Sequence, residues 1–167
     1  MFPIKIKQKA EKVFKLCLKK KVKLTFAESC TGGLLSSLIT SFPNSSKIFS
    51  CGYVAYSNLS KEKMLGVSKK TLKKYGAVSR QVAREMASSA AIKANADIGI
   101  GITGIAGPGG ATKNKKVGDV YVALVHFKNK KFVQALDDGF LSLKGSREHI
   151  RLSSVDCVLD YLLTVLE

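Results

Sequence analysis

The chain has 167 residues, 46% of them hydrophobic and 24% charged, the make-up of one globular domain with a sizeable core rather than a disordered segment. No apolar run approaches the roughly 18 residues of a transmembrane helix, and the lysine-studded start Met1-Phe2-Pro3-Ile4-Lys5 does not read as a signal peptide. The net charge is +16, but 24 of the 28 basic residues are lysine, spread along the chain without interleaved aromatics; this reads as a solvated surface that attracts small anions rather than as a nucleic-acid reader.

Taken in order, residues 5 to about 20 form a helix with Ala10, Val13, Phe14 and Cys17 on one face, closed by Lys19, Lys20 and Lys21 at the negative end of its dipole. Lys21 to Phe26 reads as a short strand, and Leu34, Leu35, Leu38 and Ile39 fall on one face of a helix. Between them lies Ala27-Glu28-Ser29-Cys30-Thr31-Gly32-Gly33, the stretch around which the rest is organised. Ile48 to Tyr56 is β-like, with Gly52 marking a bulge or a close approach. The polar connection from Tyr56 to Lys61 opens a short helix through Met64 and Leu65. Ser68 begins another helix, closed by Gly76, and Ser79 caps a long one that buries Val82, Ala83, Met86, Ala90 and Ala94 and stops at Asn95.

Asp97 to Ile105 alternates Ile with Gly, a strand on which a helix can lie very close. It runs into the loop Gly104-Ile105-Ala106-Gly107-Pro108-Gly109-Gly110. Val117 to Phe127 and Lys131 to Leu136 read as a hairpin about Asn129, and Gly145-Ser146 opens a last helix striped by Val155, Val158, Leu159, Leu162, Leu163 and Leu166. The alternation of α and β predicts a single-domain three-layer α/β/α sandwich whose mixed sheet is mostly parallel and includes an antiparallel hairpin.

Ser29 stands where a strand turns into a helix. There its hydroxyl could attack a carbonyl while the first helical N–H groups receive the oxyanion, or Ser29 and Thr31 could simply cap the helix. His126 lies deep in an apolar strand and His149 opens the last helix, with no acid in triad order beside either. Lys61 is therefore the candidate base, since a desolvated ammonium has a lowered pKa. The 104–110 loop could cradle a phosphate, though it fits neither a P-loop nor a dinucleotide fingerprint. Arg147, beside unpaired helical N–H groups, suits a monophosphate as well as it suits a plain surface cap. Cys17, Cys30, Cys51 and Cys157 form no C-x-x-C, and with two histidines they offer no zinc spacing; single thiols point to a reducing cytoplasm. Cys30 is expected to point inward, away from the chemistry.

The motifs AESCTGG (27–33), VAYSN (54–58) with Lys61, GAVS (76–79) and TGIAGPGG (103–110) together resemble the CinA C-terminal-domain family, over nearly the whole chain from about residue 5. That resemblance implies hydrolysis of the carboxamide of nicotinamide mononucleotide in pyridine nucleotide salvage. Ser29 would be the nucleophile and Lys61 its base, with Tyr56 close by. Cys30, Thr31, Gly32, Gly33, Asn58, Thr103, Gly104, Gly107 and Arg147 are expected along the substrate. It implies no cofactor, no metal, no membrane and no specific nucleic acid, and a cytoplasmic homo-oligomer, a dimer favoured. The length leaves no room for the N-terminal domain that many members carry, so the stand-alone amidase form is expected. The chain has Gly145-Ser146-Arg147 where the family often has Gly-Asp-Arg, and Val117-Gly118-Asp119-Val120 where it often has Val-Gly-Thr-Val. The rival reading is a non-catalytic nucleotide- or nucleic-acid-binding module, motivated by the charge and the glycine loop.

Overall fold

A computed structural model describes residues 2–128 and 131–167. The close approach expected of the Ile–Gly alternation sets the middle of the molecule. Strand β3 (Ile98–Gly104) presents Gly99 and Gly101 to helix α5 (Arg80–Ala94), and a Cβ on either would run into the backbone carbonyls of Ala87 and Ala83. The helix offers alanines to this contact, so its backbone rests almost directly on the sheet.

Around β3 the sheet has the order β2-β1-β3-β4-β5, with β1 (Leu24–Glu28), β2 (Phe49–Val54), β4 (Asp119–Lys128) and β5 (Lys131–Ser142). β1 pairs parallel with β2 and β3, and β4 runs antiparallel to both of its neighbours. Four strands therefore share one direction and only β4 opposes them, the mostly parallel mixed sheet that the alternation of elements predicts. The interior strand β1 is buried along its whole length, as a strand covered on both faces must be.

One face carries α5 with α3 (Asn58–Leu65) and α4 (Lys69–Tyr75); the other carries α1 (Ile4–Lys20), α2 (Leu34–Thr40) and α6 (Arg147–Leu166). The larger core lies under α1, α2 and α6, where Val13, Leu35, Leu38, Val158 and Leu162 meet Phe26, Ile98, Ile100 and Ile102. No helix among the described residues is long and apolar enough to cross a membrane.

Two strands differ most from expectation. β1 begins at Leu24, not at Lys21, because Lys21 takes the left-handed cap of α1 (φ 56°) with its N–H turned back to Leu18. β5 continues to Ser142, well beyond Leu136, because two register shifts against β4 keep the pairing alive to Ser142 opposite Asp119. The expected turn at Asn129 lies outside the described residues. At Gly52 the structure shows a close approach, since a Cβ there would meet the Ser36 hydroxyl on α2.

Candidate active site

The register puts Glu28 of β1 opposite both Val54 of β2 and Ile102 of β3, so the carboxyl ends of three strands meet, where ligands of open α/β sheets bind. Ser29 is the first residue past the end of β1. Its N–H donates to the Ile102 carbonyl at 2.9 Å, which holds it on the sheet, and its carbonyl accepts the Gly32 N–H at 3.0 Å, which closes a turn. Gly32 (φ 60°) and Gly33 (φ 89°) are both in the left-handed region, and this lets the chain reverse before α2 starts at Leu34.

The residue before Ser29 changes the expected role of that helix start. Glu28 is fully buried, and its carboxylate accepts the N–H of Leu35 (3.1 Å), the N–H of Ser36 (2.9 Å) and the hydroxyl of Ser36 (2.7 Å). The expectation that the first N–H groups of α2 receive an oxyanion is thus corrected: a built-in anion already holds that helix end. Glu28 carried a sequence signal, a lone carboxylate closing an apolar strand, and sequence reasoning missed it.

Lys61 comes from the inner face of α3, whose start is fixed by a capping box between Ser57 and Ser60. It is 1% exposed, and its Nζ donates to Ser29 Oγ at 2.8 Å and to the Ala55 carbonyl at 2.9 Å. A longer contact of 3.5 Å reaches the Tyr56 carbonyl. None of these partners is a carboxylate, and burial, only partly offset by the neighbouring Cys30 thiol, lowers the Lys61 pKa to about 8. Roughly one such side chain in ten is then neutral at pH 7, a free base against the serine hydroxyl. The neighbouring Cys30 is buried in the larger core, as expected, and burial pushes its thiol up to about 11, the inert form.

These groups open into a cavity of about 180 Å³ whose walls include Ser29, Cys30, Tyr56, Arg147 and the 104–110 loop. Arg147, the first residue of α6, spans its mouth: Nη1 donates to the Gly107 carbonyl at 2.6 Å and Nη2 to the Tyr56 hydroxyl at 2.7 Å. Ser146 caps α6 by accepting the His149 N–H at 3.2 Å, so it supplies the oxygen that an aspartate would offer there. Asp119 accepts the Lys116 N–H at 2.8 Å and steadies the end of the glycine loop.

Other expected substrate contacts sit elsewhere. Thr103 is buried and donates to the Ala77 carbonyl at 2.8 Å, tying β3 to the turn before α5 rather than lining the cavity. Thr31, Gly32 and Gly33 form the turn behind Ser29, and Asn58 is exposed at the start of α3. Tyr56 meets the lysine through its carbonyl, while its exposed ring turns to Arg147. His126 lies opposite Ile98, at the far end of β3, and His149 contacts Ser153; neither reaches Ser29. Among the described residues no three His, Cys, Asp or Glu side chains gather as metal ligands do.

Comparison with known proteins identifies the family and the fold. A family model described as the CinA C-terminal domain matches residues 6–166. A putative competence-damage inducible protein of Thermoanaerobacter pseudethanolicus is 47% identical over 159 residues, covering 93% of this chain and 37% of its own length. One from Clostridium perfringens is 46% identical over 160 residues, with 94% and 37% covered. The chain thus spans little more than a third of these relatives. Among solved structures, the competence/damage inducible protein CihA from Agrobacterium tumefaciens superposes with a TM-score of 0.92 at 34% identity, covering 100% of this chain and 99% of that one. A CinA superfamily protein from Escherichia coli gives 0.86 at 32%, covering 96% and 90%.

Proposed function

The chain belongs to the CinA C-terminal-domain family, and from that premise we propose that it is a nicotinamide-nucleotide amidase, converting nicotinamide mononucleotide and water to nicotinic acid mononucleotide and ammonia. The observation that carries this reading is the 2.8 Å contact between Ser29 Oγ and a buried lysine that forms no ion pair with an acid among the described residues. A structural role does not call for a desolvated ammonium on a serine hydroxyl; a nucleophile and its base do. Neutral Lys61 takes the Ser29 proton as Oγ adds to the carboxamide carbon. The oxyanion turns to the backbone N–H of Cys30, the residue after the nucleophile, and to the N–H groups of the Ala106–Gly107 turn across the cavity. Collapse expels ammonia, which takes its proton from Lys61, and water then resolves the acyl-enzyme with Lys61 again as base.

Arg147 is the anchor for the phosphate. Two of its donors already hold Gly107 and Tyr56, so the phosphate takes its remaining N–H groups or displaces the Tyr56 hydroxyl. The excess of lysine over the surface favours such an anionic substrate. We propose that the protein works in pyridine nucleotide salvage in the cytoplasm, as a homo-oligomer, a dimer favoured. Ammonia release from the purified chain, pretreated with EDTA and given millimolar mononucleotide at near-neutral pH, tests the reading. Release no faster than in a Ser29→Ala control refutes it.

A further inference from the structure

Arg151 follows Arg147 by one turn of α6, half-buried on the same side of the helix. Its Nη2 donates to the Thr31 carbonyl at 2.7 Å, across 120 residues of sequence, and lies 3.6 Å from where a Cβ on Gly32 would stand. No acidic side chain forms an ion pair with it among the described residues, and its buried Nε has no partner. A guanidinium spent on one neutral carbonyl is a poor stabilising device. Its target, however, is the Thr31–Gly32 peptide, whose N–H donates to the Ser29 carbonyl. That peptide plane is held on its Thr31 carbonyl side by Arg151 at 2.7 Å and more loosely by the Leu34 N–H at 3.3 Å, and on its Gly32 N–H side by the Ser29 carbonyl.

We infer that Arg151 is a positioning residue for Ser29: it clamps the Thr31–Gly32 peptide and so keeps a glycine-rich turn in the one conformation that aims Oγ at Lys61 and the cavity. Without it the plane keeps only the Gly32 N–H bond to Ser29 and the long Leu34 N–H bond at 3.3 Å, and the glycine backbone itself adds little resistance to rotation. Arg147 holds the opposite wall through Gly107 and Tyr56, so one rigid helix sets the spacing of both sides of the site. A displacement of about 1 Å at a nucleophile costs on the order of 100-fold in rate. This inference rests on Ser29 being the nucleophile.

The test reads Ser29 directly, without the natural substrate. An alkyl fluorophosphonate labels an activated serine: the Oγ–P bond forms, the P–F bond breaks, fluoride leaves, and the proton passes through Lys61 to solvent. Labelling rates are followed by intact mass for wild type, Arg151→Met and Arg151→Ala, with Ser29→Ala as the blank. Arg151→Met keeps an aliphatic stem against Phe2, Leu34 and Leu152, which line a small cavity beside the arginine, and removes only the donors. Both variants are expected to label about 10- to 100-fold more slowly. Guanidinium ion at non-denaturing concentration, entering the space left in Arg151→Ala, is expected to restore much of the rate, which a purely packing role would not allow. Variants that label at the wild-type rate, or an Arg151→Ala protein that guanidinium does not rescue, overturn the inference while leaving the amidase reading intact. A wild-type Ser29 that resists the probe overturns both.

Discussion

Replacing Lys61 by methionine removes a buried cation while keeping most of its volume, and its effect on stability is set by pH. The folded pKa is about 8, below the 10.5 of an unfolded lysine, because burial penalises the charge. Between these values the unfolded chain binds more protons than the folded one, so stability rises with pH through this window and the penalty is complete below pH 8. At 1.36 kcal/mol per pKa unit, the buried ammonium costs about 3 kcal/mol at pH 7 and about 1 kcal/mol at pH 10. The Met variant carries no such cost, but it strands the Ala55 carbonyl and the Ser29 hydroxyl, an offset nearly independent of pH. Urea unfolding followed by far-ultraviolet circular dichroism, at pH 7 and pH 10 under reducing conditions, separates the two. The other lysines and the tyrosines are common to both proteins and cancel in the difference. Wild type should gain about 2 kcal/mol on Lys61→Met between the two pH values. A difference that stays flat would mean that Lys61 titrates near its ordinary value in the folded chain, and the case for a neutral base near pH 7 would fail with it.

The same pKa fixes the activity profile: turnover of the mononucleotide should climb with pH and level off above about 8, and a rate already flat from pH 6 would remove Lys61 as the base. Ser29→Ala should abolish ammonia release while Cys30→Ala largely spares it, because the thiol is buried and held protonated; the opposite result would make this a cysteine hydrolase. Arg147→Ala should depress mononucleotide turnover strongly and that of the phosphate-free riboside far less, whereas Lys61→Ala should suppress both alike. Equal losses on both substrates for Arg147→Ala would move the phosphate to the glycine loop. Glu28→Ala, which leaves two N–H groups and a hydroxyl without their carboxylate, should destabilise the chain by about 3 kcal/mol or more; a loss below about 1 kcal/mol in chemical unfolding would show that the helix end does not depend on it.

Much of the fold was legible because its signals are local. Ser57, Ser68, Ser79 and Ser146 each cap the helix that the sequence places after them, and the Ile–Gly alternation marks where α5 lies on β3. The boundaries that escaped depend on partners far along the chain: β5 is long because β4 continues to pair with it across two irregularities. The site follows the same division. Ser29 and Lys61 stand out by residue type at strand ends, and the structure brings them within hydrogen-bond distance. Thr103 and Thr31 looked equally exposed to substrate in sequence, but Thr103 is turned to the Ala77 carbonyl and Thr31 is sealed behind its own turn. Arg151 gave only its spacing from Arg147, and its target lies 120 residues away.

The absence of a histidine at Ser29 follows from what this fold has to offer there. A histidine base needs a third group to set its tautomer and to stabilise the imidazolium, so two further side chains must reach the end of β1. The groups around that end are already committed: Ile102 and Ala55 hold the backbone on either side, and the nearby carboxylate of Glu28 is turned back to hold α2. A lysine needs no orienting partner and no tautomer. It needs only to be dry, and α3 supplies this by laying Lys61 and Leu65 on its inner face against the core. The carbonyls of Ala55 and Tyr56 direct the amine without neutralising it, so they aim Lys61 at the hydroxyl while leaving desolvation free to lower its pKa. An acid placed there instead would raise that pKa and remove the base.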